Sequence, residues 1–499
     1  MTLKLSYKNV RKLRKQLHKA ISVCAYRKCI NDKYSKQPTI FTGSDCIEKF
    51  LNHLQNEALL ITEILNTVNE PLKWNENERE RFKSIKSCEV CGCTFDSSNR
   101  KYRDHEHLGM NSSSNVRFIL CNKCNLTYGS TNYRIPVIAH NGTSYDHHYI
   151  ITHLNKSMSL SVIAKNTEKF ISLKLGEHLV FIDSLNFLSG SLNALVTDLS
   201  KKESNNLSFF LNYITKNPTK QKLLYQKGSF PYDWLDSTQC LEETSLPPRS
   251  AFFDHLSNKE LDEDAYERAQ MIWHQFKCKN MQDYLELYLK LDVLLLAAVI
   301  ESYRNSTYEH FKLDPLNYLT GPSLCFDAML KITGIQLDTI PTLDMYLWFN
   351  RSIRGGYAGS SVRYAKANND LCEHFNIHKE ISHILALDAN QLYGHSMSQH
   401  LPVGNFRWLT KKDIEAFDIH SVKLNGRTGY FLEVDLIYPK DLHDVHNDYP
   451  LAPEKRTINP DDWSEYMHTI ADCLDMKKKS GGDKLMATLN DKMKYIVQF

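Results

Sequence analysis

Two cysteine hooks constrain this chain more than any other feature. Cys88-x-x-Cys91 and Cys121-x-x-Cys124 lie within one short stretch. A CxxC turn brings two sulfurs close enough to share one ion. Two such turns complete a tetrahedral S4 set, which suits zinc. The pattern predicts a zinc-stapled module with Cys88, Cys91, Cys121 and Cys124 as ligands and Cys93 as a surplus thiol. Of the 13 cysteines, the eight outside this stretch are scattered singly. Met1 to Lys19 is basic and has no apolar segment of the secretory kind. The sequence therefore reads as that of an intracellular protein with a metal site, not a disulfide framework.

Length and composition set the frame around that module. At roughly 150 residues per domain, 499 residues predict about three domains. A hydrophobic fraction of 42% supplies a core for each and excludes disordered, collagen-like and coiled-coil chains. The longest apolar candidate, Val293 to Ile300, is too short to span a bilayer, so no membrane partner is expected. The net charge of +3 selects no partner by itself.

The patterning predicts a mixed α/β (α+β) fold. Ile47 to Val68 carries apolar residues at helical spacing, and Asn75 to Ser87 reads as a solvated helix. Ile135 to Ala139 reads as a buried strand. Ile171 to Leu175 and Leu179 to Ile182 flank Gly176-Glu177 as a hairpin. Asp262 to Tyr303 is helical, with Tyr284, Tyr288 and Asp292 on one face. Ile384 to Leu387 reads as a short buried strand ending at Asp388, and Tyr430 to Tyr438 as an alternating strand. Boundaries are expected at Pro247-Pro248, Pro315, Gly355-Gly356 and Gly481-Gly482.

Between the hooks lies Asp104-His105-Glu106-His107, and Asn125 follows the second hook. This segment resembles the treble-clef His-Me (HNH-type) endonucleases of the phage recombination-endonuclease type. The resemblance implies that Asp104 and Asn125 hold magnesium, that His105 is the general base, and that His107 assists at the phosphate. Oxygen donors suit a hard cation, and imidazole suits a base near neutral pH.

Further on, Asn141-Gly-Thr-Ser-Tyr145-Asp146 follows a strand, and Tyr288-Leu-Lys-Leu-Asp292 sits on a helix. In this order they resemble the second and third exonuclease motifs of family B DNA polymerases. The strings "RIPVIAHNGTSYDHHYIITHL", "FIDSLNFL", "LDPLNYLTGPSL" and "DYPLAPEK" resemble one branch in particular. That branch is the protein-primed polymerases of Polinton/Maverick elements and their viral and linear-plasmid relatives. The resemblance implies an RNase H-like 3′→5′ exonuclease domain. Asp146 and Asp292 would be catalytic carboxylates, and Tyr288 would orient water. Asn141, Tyr145, Ser184 and Leu185 would contact a single-stranded 3′ end.

Arg354-Gly355-Gly356 resembles the Y-x-G-G linker that contacts DNA, with Ile353 in place of the tyrosine. Asp388-Ala-Asn-Gln-Leu392-Tyr393-Gly394 resembles polymerase motif A. That implies a catalytic magnesium ligand at Asp388 and a nucleotide pocket at Leu392 and Tyr393.

The implied layout is a helical N-terminal part (1–87), a zinc module (88–130), an exonuclease domain (131–310), a linker (311–380) and a partial palm (381–499). The family's first exonuclease motif, its K-x-x-x-N-S-x-Y-G motif and its D-T-D motif do not occur, so the sequence reads as an incomplete polymerase. Implied partners are primer-template DNA, dNTP and a terminal protein primer, with a nuclear location if the chain comes from a eukaryotic mobile element. Two alternatives stay open: a zinc-stapled endonuclease acting on DNA, and a non-catalytic DNA-binding remnant of a mobile element.

Overall fold

The computed structural model describes residues 19–108, 113–127, 133–154, 158–166, 169–202, 204–255, 258–362, 364–423 and 426–498. They fall into two compact units that divide between Gly334 and Ile335. None of the four expected boundaries lies at this division, although it falls inside the expected linker.

The first unit opens with strands that sequence reading missed. β1 (Ser22–Ala25) and β2 (Thr39–Thr42) form an antiparallel pair, with Val23 opposite Phe41. Helix α1 (Cys46–Thr67) covers the expected segment. It buries Cys46, Ile47, Leu51 and Leu54, the last three at helical i, i+4, i+7 spacing. The charged helix α2 (Glu76–Ser84) buries nothing, as a solvated helix should.

Next come β3 (Tyr102–His105), β4 (Val116–Leu120) and helix α3 (Asn122–Thr127). The hairpin is antiparallel, and its register skips Arg117, the extra residue of a bulge. Asn115 locks the chain before α2 onto this hairpin. Its side chain accepts from Lys73 N at 2.7 Å and donates to the Pro71 and Glu106 carbonyls.

A four-stranded sheet in the order β5-β8-β7-β6 then organises the unit. β5 (Ile135–Ala139) is followed by helix α4 (Asp146–Thr152), and then by β6 (Leu160–Ala164), β7 (Phe170–Leu175) and β8 (Leu179–Asp183). β7 and β8 form the expected hairpin, closing at Leu175 opposite Leu179. β5 runs parallel to β8, with Ala139 opposite Asp183. Parallel pairing brings the carboxyl ends of both strands to one edge, where open α/β sheets bind ligands. Leu173, Leu175, Leu179 and Phe181 pack against Ile150 and the buried stripe of α1.

A helical block completes the unit: α5 (Leu192–Lys202), α6 (Ser204–Leu211), α7 (Glu263–Gln275), α8 (Met281–Phe311) and α9 (Gly321–Thr333). The helical stretch expected over 262–303 breaks between Gln275 and Met281, where the Asn280 side chain caps α8. Leu207, Phe210, Leu211, Met281, Leu291, Leu294 and Leu295 form the second core. α9 stops at Gly334, whose φ of +65° favours glycine.

The second unit contains α10 (Leu343–Ser352), β9 (Phe431–Leu436), β10 (Glu454–Thr457), β11 (Asp483–Met486) and β12 (Lys492–Gln498). β9 pairs with β12, and β10 with β11. β9 lies within the strand expected at Tyr430 to Tyr438. The strand expected at Ile384 to Leu387 does not form: the segment is irregular, and Leu387 is 90% exposed. A strand exists through its ladder of hydrogen bonds, and no described strand pairs here. No described helix is long and apolar enough to cross a membrane.

Candidate functional site

The site in the first unit is built where β5 and β8 end together. Asp183, 1% exposed at the end of β8, accepts three backbone N–H groups: Asn141 at 2.8 Å, Thr143 at 2.9 Å and Leu185 at 3.0 Å. One carboxylate thus ties the Asn141–Asp146 loop to the Ser184–Leu185 turn. Asn141 adopts a left-handed φ of +66° to make the turn. A Cβ at residue 142 would lie 3.0 Å from the Ala139 Cβ and 3.2 Å from His147 Nε2, so any larger residue would crowd both neighbours. Ser184 Oγ donates to the Ala139 carbonyl at 3.1 Å and also meets His140 Nδ1 at 2.9 Å. Tyr145 and Leu185 stand exposed beside this buried knot.

The loop delivers Asp146 to the first turn of α4. Its carboxyl reaches solvent but is crowded by protein atoms. That desolvation raises its pKa, the negative charge of Asp183 adds to the effect, and a backbone N–H and His147 oppose it.

The second cluster grows from α8. Tyr288 and Asp292 are one turn apart and face the same way. The Tyr232 hydroxyl donates to the Tyr288 hydroxyl at 2.7 Å, and Lys227 Nζ lies 3.4 Å from Asp292 Oδ2. Burial raises the Asp292 pKa, while Lys227 and the Tyr288 hydroxyl pull it down. Its Oδ1 is buried and has no hydrogen-bond partner. Burial, with Asp292 and Tyr232 adding, pushes Tyr288 well above the usual phenol range. A Cβ at Gly228 would come within 2.8 Å of the Tyr288 ring, so glycine lets the Lys227 segment lie against α8.

Lys227 connects the two clusters. It pairs with Asp292, and its charge also lowers the pKa of His140, whose burial is the larger cause. The sequence pattern pointed to Asp146, Tyr288 and Asp292 as candidates but not to Asp183, Lys227, Gly228 and Tyr232, which the structure sets beside them. Asp183 lies in the segment FIDSLNFL, after four apolar residues and before a turn; the other three have no local signal.

In the module that precedes β5, the Cys88, Cys91, Cys121 and Cys124 sulfurs all lie within 4.8 Å of one another. A zinc–sulfur bond of about 2.3 Å gives a tetrahedral edge of about 3.8 Å, and Cys91 and Cys121 are 3.8 Å apart. The donor set fits zinc. Burial works against the Cys88 thiolate, but backbone N–H groups aimed at the sulfur bring its pKa down to about 6. Burial and the neighbouring sulfurs push Cys124 up to about 12. Cys93 lies beside Cys91 and takes a hydrogen bond from Asn99 at 3.1 Å.

β3, β4 and α3 form a ββα unit that carries the remaining candidates. His105 and His107 have ring centroids 4.5 Å apart. Burial lowers the His107 pKa, with His105 and Arg117 adding to the effect. Asp104 is buried, and both its oxygens bind Arg117, at 2.8 and 2.9 Å. The bulge at Arg117 aims that side chain at it. Asn125 is half-buried on α3.

The second unit spreads its candidates. Arg354 stacks over Tyr495 at 4.0 Å and donates to the Ile496 carbonyl at 2.5 Å. Gly355 and Gly356 follow in open space. Asp388 is exposed in irregular chain, and Leu392 and Tyr393 start a short helix, 58% and 87% exposed.

Residues 128–475 match the family model of DNA polymerase type B, organellar and viral. The chain belongs to that family. The match contains both clusters of the first unit and the Asp388 segment, and it excludes the cysteine hooks. A DNA polymerase of Kluyveromyces lactis is 24% identical over 311 residues, which is 60% of this chain and 27% of that protein. The chain thus spans about a quarter of the length of that relative. No solved structure matches.

Proposed function

We propose that the chain forms the exonuclease unit and part of the palm of a protein-primed DNA polymerase, of the branch found in Polinton/Maverick elements and related viruses and plasmids. The function of the whole is then template-directed DNA synthesis with 3′→5′ proofreading. The observation that carries this reading is the Asp292 carboxylate. It is ionisable, sits beside Lys227 and Tyr288, and keeps one buried oxygen without a partner. A free carboxylate oxygen of this kind fits a divalent cation.

In this reading Asp146 and Asp292 hold catalytic magnesium in an RNase H-like unit. Magnesium supplies positive charge against the phosphate under attack. Tyr288 orients the attacking water, while Asn141, Tyr145, Ser184 and Leu185 seat the single-stranded 3′ end. Arg354, Gly355 and Gly356 contact DNA, Asp388 serves the palm, and Leu392 and Tyr393 border the dNTP. Cys88, Cys91, Cys121 and Cys124 hold structural zinc, and a terminal protein supplies the primer.

Phosphoryl transfer by two metals needs a second palm carboxylate, and no D-T-D occurs in the 499 residues. Purified chain with magnesium, dNTPs and primer-template is therefore expected to bind DNA without extending it. Templated extension abolished by Asp388→Ala would show that these residues suffice for synthesis. Failure of the purified chain to bind any primer-template sinks the polymerase reading.

The ββα arrangement with paired His105 and His107 supports a second reading, a magnesium-dependent endonuclease held by Asp104 and Asn125. The closed Asp104–Arg117 pair weighs against it, because neither Asp104 oxygen is free. Nicking of supercoiled plasmid that is lost in His105→Ala supports this reading, and intact plasmid removes it.

A further inference from the structure

The outer face of the zinc module carries an arginine clamped by aromatic rings. The Arg103 guanidinium on β3 lies 4.7 Å from the Trp74 ring centroid and 5.3 Å from that of Phe82. The two rings meet edge to face at 5.9 Å and form a two-walled notch around it. Arg79 lies over Trp74 at 5.0 Å, and Lys101 near Phe82 at 5.6 Å, so cations and rings alternate.

The members of this row differ in what they have left to bind with. Lys101 spends its ammonium on the Phe82 and Lys83 carbonyls that close α2. Arg79 has Glu76 at 3.8 Å. Arg81 on α2 and Arg117 on the β4 bulge are taken by Glu78 with Glu89 and by Asp104. Arg103 has neither a carboxylate nor a carbonyl partner among the described residues. It is exposed, while Trp74 and Phe82 are half-buried.

A guanidinium stacks on rings through its face while its fork of N–H donors stays free in the plane, and that fork matches a phosphate. Rings that already fix the side chain reduce the ordering cost of binding. The rings face their own cations, so the surface offers charge and not a base-stacking platform. Strand alternation sets Arg103 on the side of β3 opposite Asp104 and its arginine.

We propose that Arg103, held between Trp74 and Phe82, is a phosphate clamp through which the zinc module grips a DNA backbone independently of sequence. The proposal rests on the reading of the chain as part of a DNA polymerase, and it assigns to the module a role that neither zinc binding nor cleavage supplies.

The test is fluorescence anisotropy of the zinc-loaded full chain with a labelled oligonucleotide, as single strand and as duplex, across a NaCl series. Arg103→Gln is expected to weaken binding and to lower the slope of log affinity against log salt by about one. Loss confined to one DNA form identifies which backbone is gripped. Trp74→Leu is expected to weaken binding several-fold with the slope kept, because the charge stays and only its fixing is lost. Wild-type affinity and slope in Arg103→Gln, with zinc content unchanged, overturn the clamp. If that variant misfolds, Arg103→Lys decides: wild-type affinity there overturns the proposal, and weaker binding with the slope kept supports it. A wild-type chain that binds no DNA at all overturns the polymerase reading together with the clamp.

Discussion

Asp146 and Asp292 both resist ionisation, because protein atoms around each carboxyl strip it of water. A carboxyl whose folded pKa is raised contributes most to stability below its unfolded pKa, and that contribution is lost as pH rises through the folded value. At neutral pH the ionised Asp146, desolvated by the protein atoms around it and secondarily repelled by Asp183, therefore costs stability. Asp146→Asn is expected to raise the melting temperature at pH 7 in metal-free buffer. The difference should close as pH falls toward the ordinary carboxylate range, about 4. A gap independent of pH between 4 and 7, read by scanning calorimetry, would count against this account. Gly228 acts through space instead. Gly228→Ala drives a Cβ toward the Tyr288 ring at 2.8 Å. Overpacking of this kind costs about 1–3 kcal/mol, measurable by urea unfolding. At this scale the sequence displayed candidate residues such as Asp146 and Asp292, because they sit in short ordered strings. It hid Lys227 and Tyr232, which reach Asp292 and Tyr288 only after the chain has turned back onto α8.

Among elements, those that local pattern could specify were the legible ones. The Gly176 turn fixed the β7–β8 hairpin, and the spacing of Ile47, Leu51 and Leu54 fixed the buried face of α1. β1 and β2 were not legible, because each is four residues long and their two apolar pairs, Val23 with Phe41 and Cys24 with Ile40, are adjacent and give no alternation. The apolar run Ile384–Leu387 misled for the opposite reason: apolar character gives a strand only where another strand supplies the ladder. The zinc module lies between these cases. Its ligands were plain in the spacing, but the Asn115 lock and the bulge at Arg117 depend on chain brought in from residues 71–73 and 104. Four thiol sulfurs within 4.8 Å predict one zinc per chain by metal analysis. Cys121→Ser should lose the metal and loosen the β3–β4 hairpin, because structural zinc contributes folding energy directly. Cys93→Ser should keep the metal, since the clustered set of four sulfurs does not include Cys93. Zinc loss in Cys93→Ser would place Cys93 among the ligands.

For the molecule as a whole, the two units differ in how much they bury. The first holds both large cores, one under the four-stranded sheet and one around α8. In the second, Met345, Ala471 and Ile496 are the fully buried apolar side chains among the described residues, while Leu371, Leu385, Leu387 and Tyr393 are each at least 78% exposed. Stability is a small surplus of burial over chain entropy, so a unit this open should yield first. Hydrogen exchange followed by mass spectrometry should find the amides of β7, β8 and α8 protected to the limit of global unfolding. Residues 371–403 should exchange within the first time points. The two units should also separate in urea, with the second losing structure before the first. Slow exchange at 384–388 in the isolated chain would contradict this, because it would require a hydrogen-bonded partner for a segment that has none among the described strands. Within the candidate chemistry, the Asp388 segment thus stands on irregular, exposed chain, whereas the Asp146 and Asp292 clusters rest on a folded core.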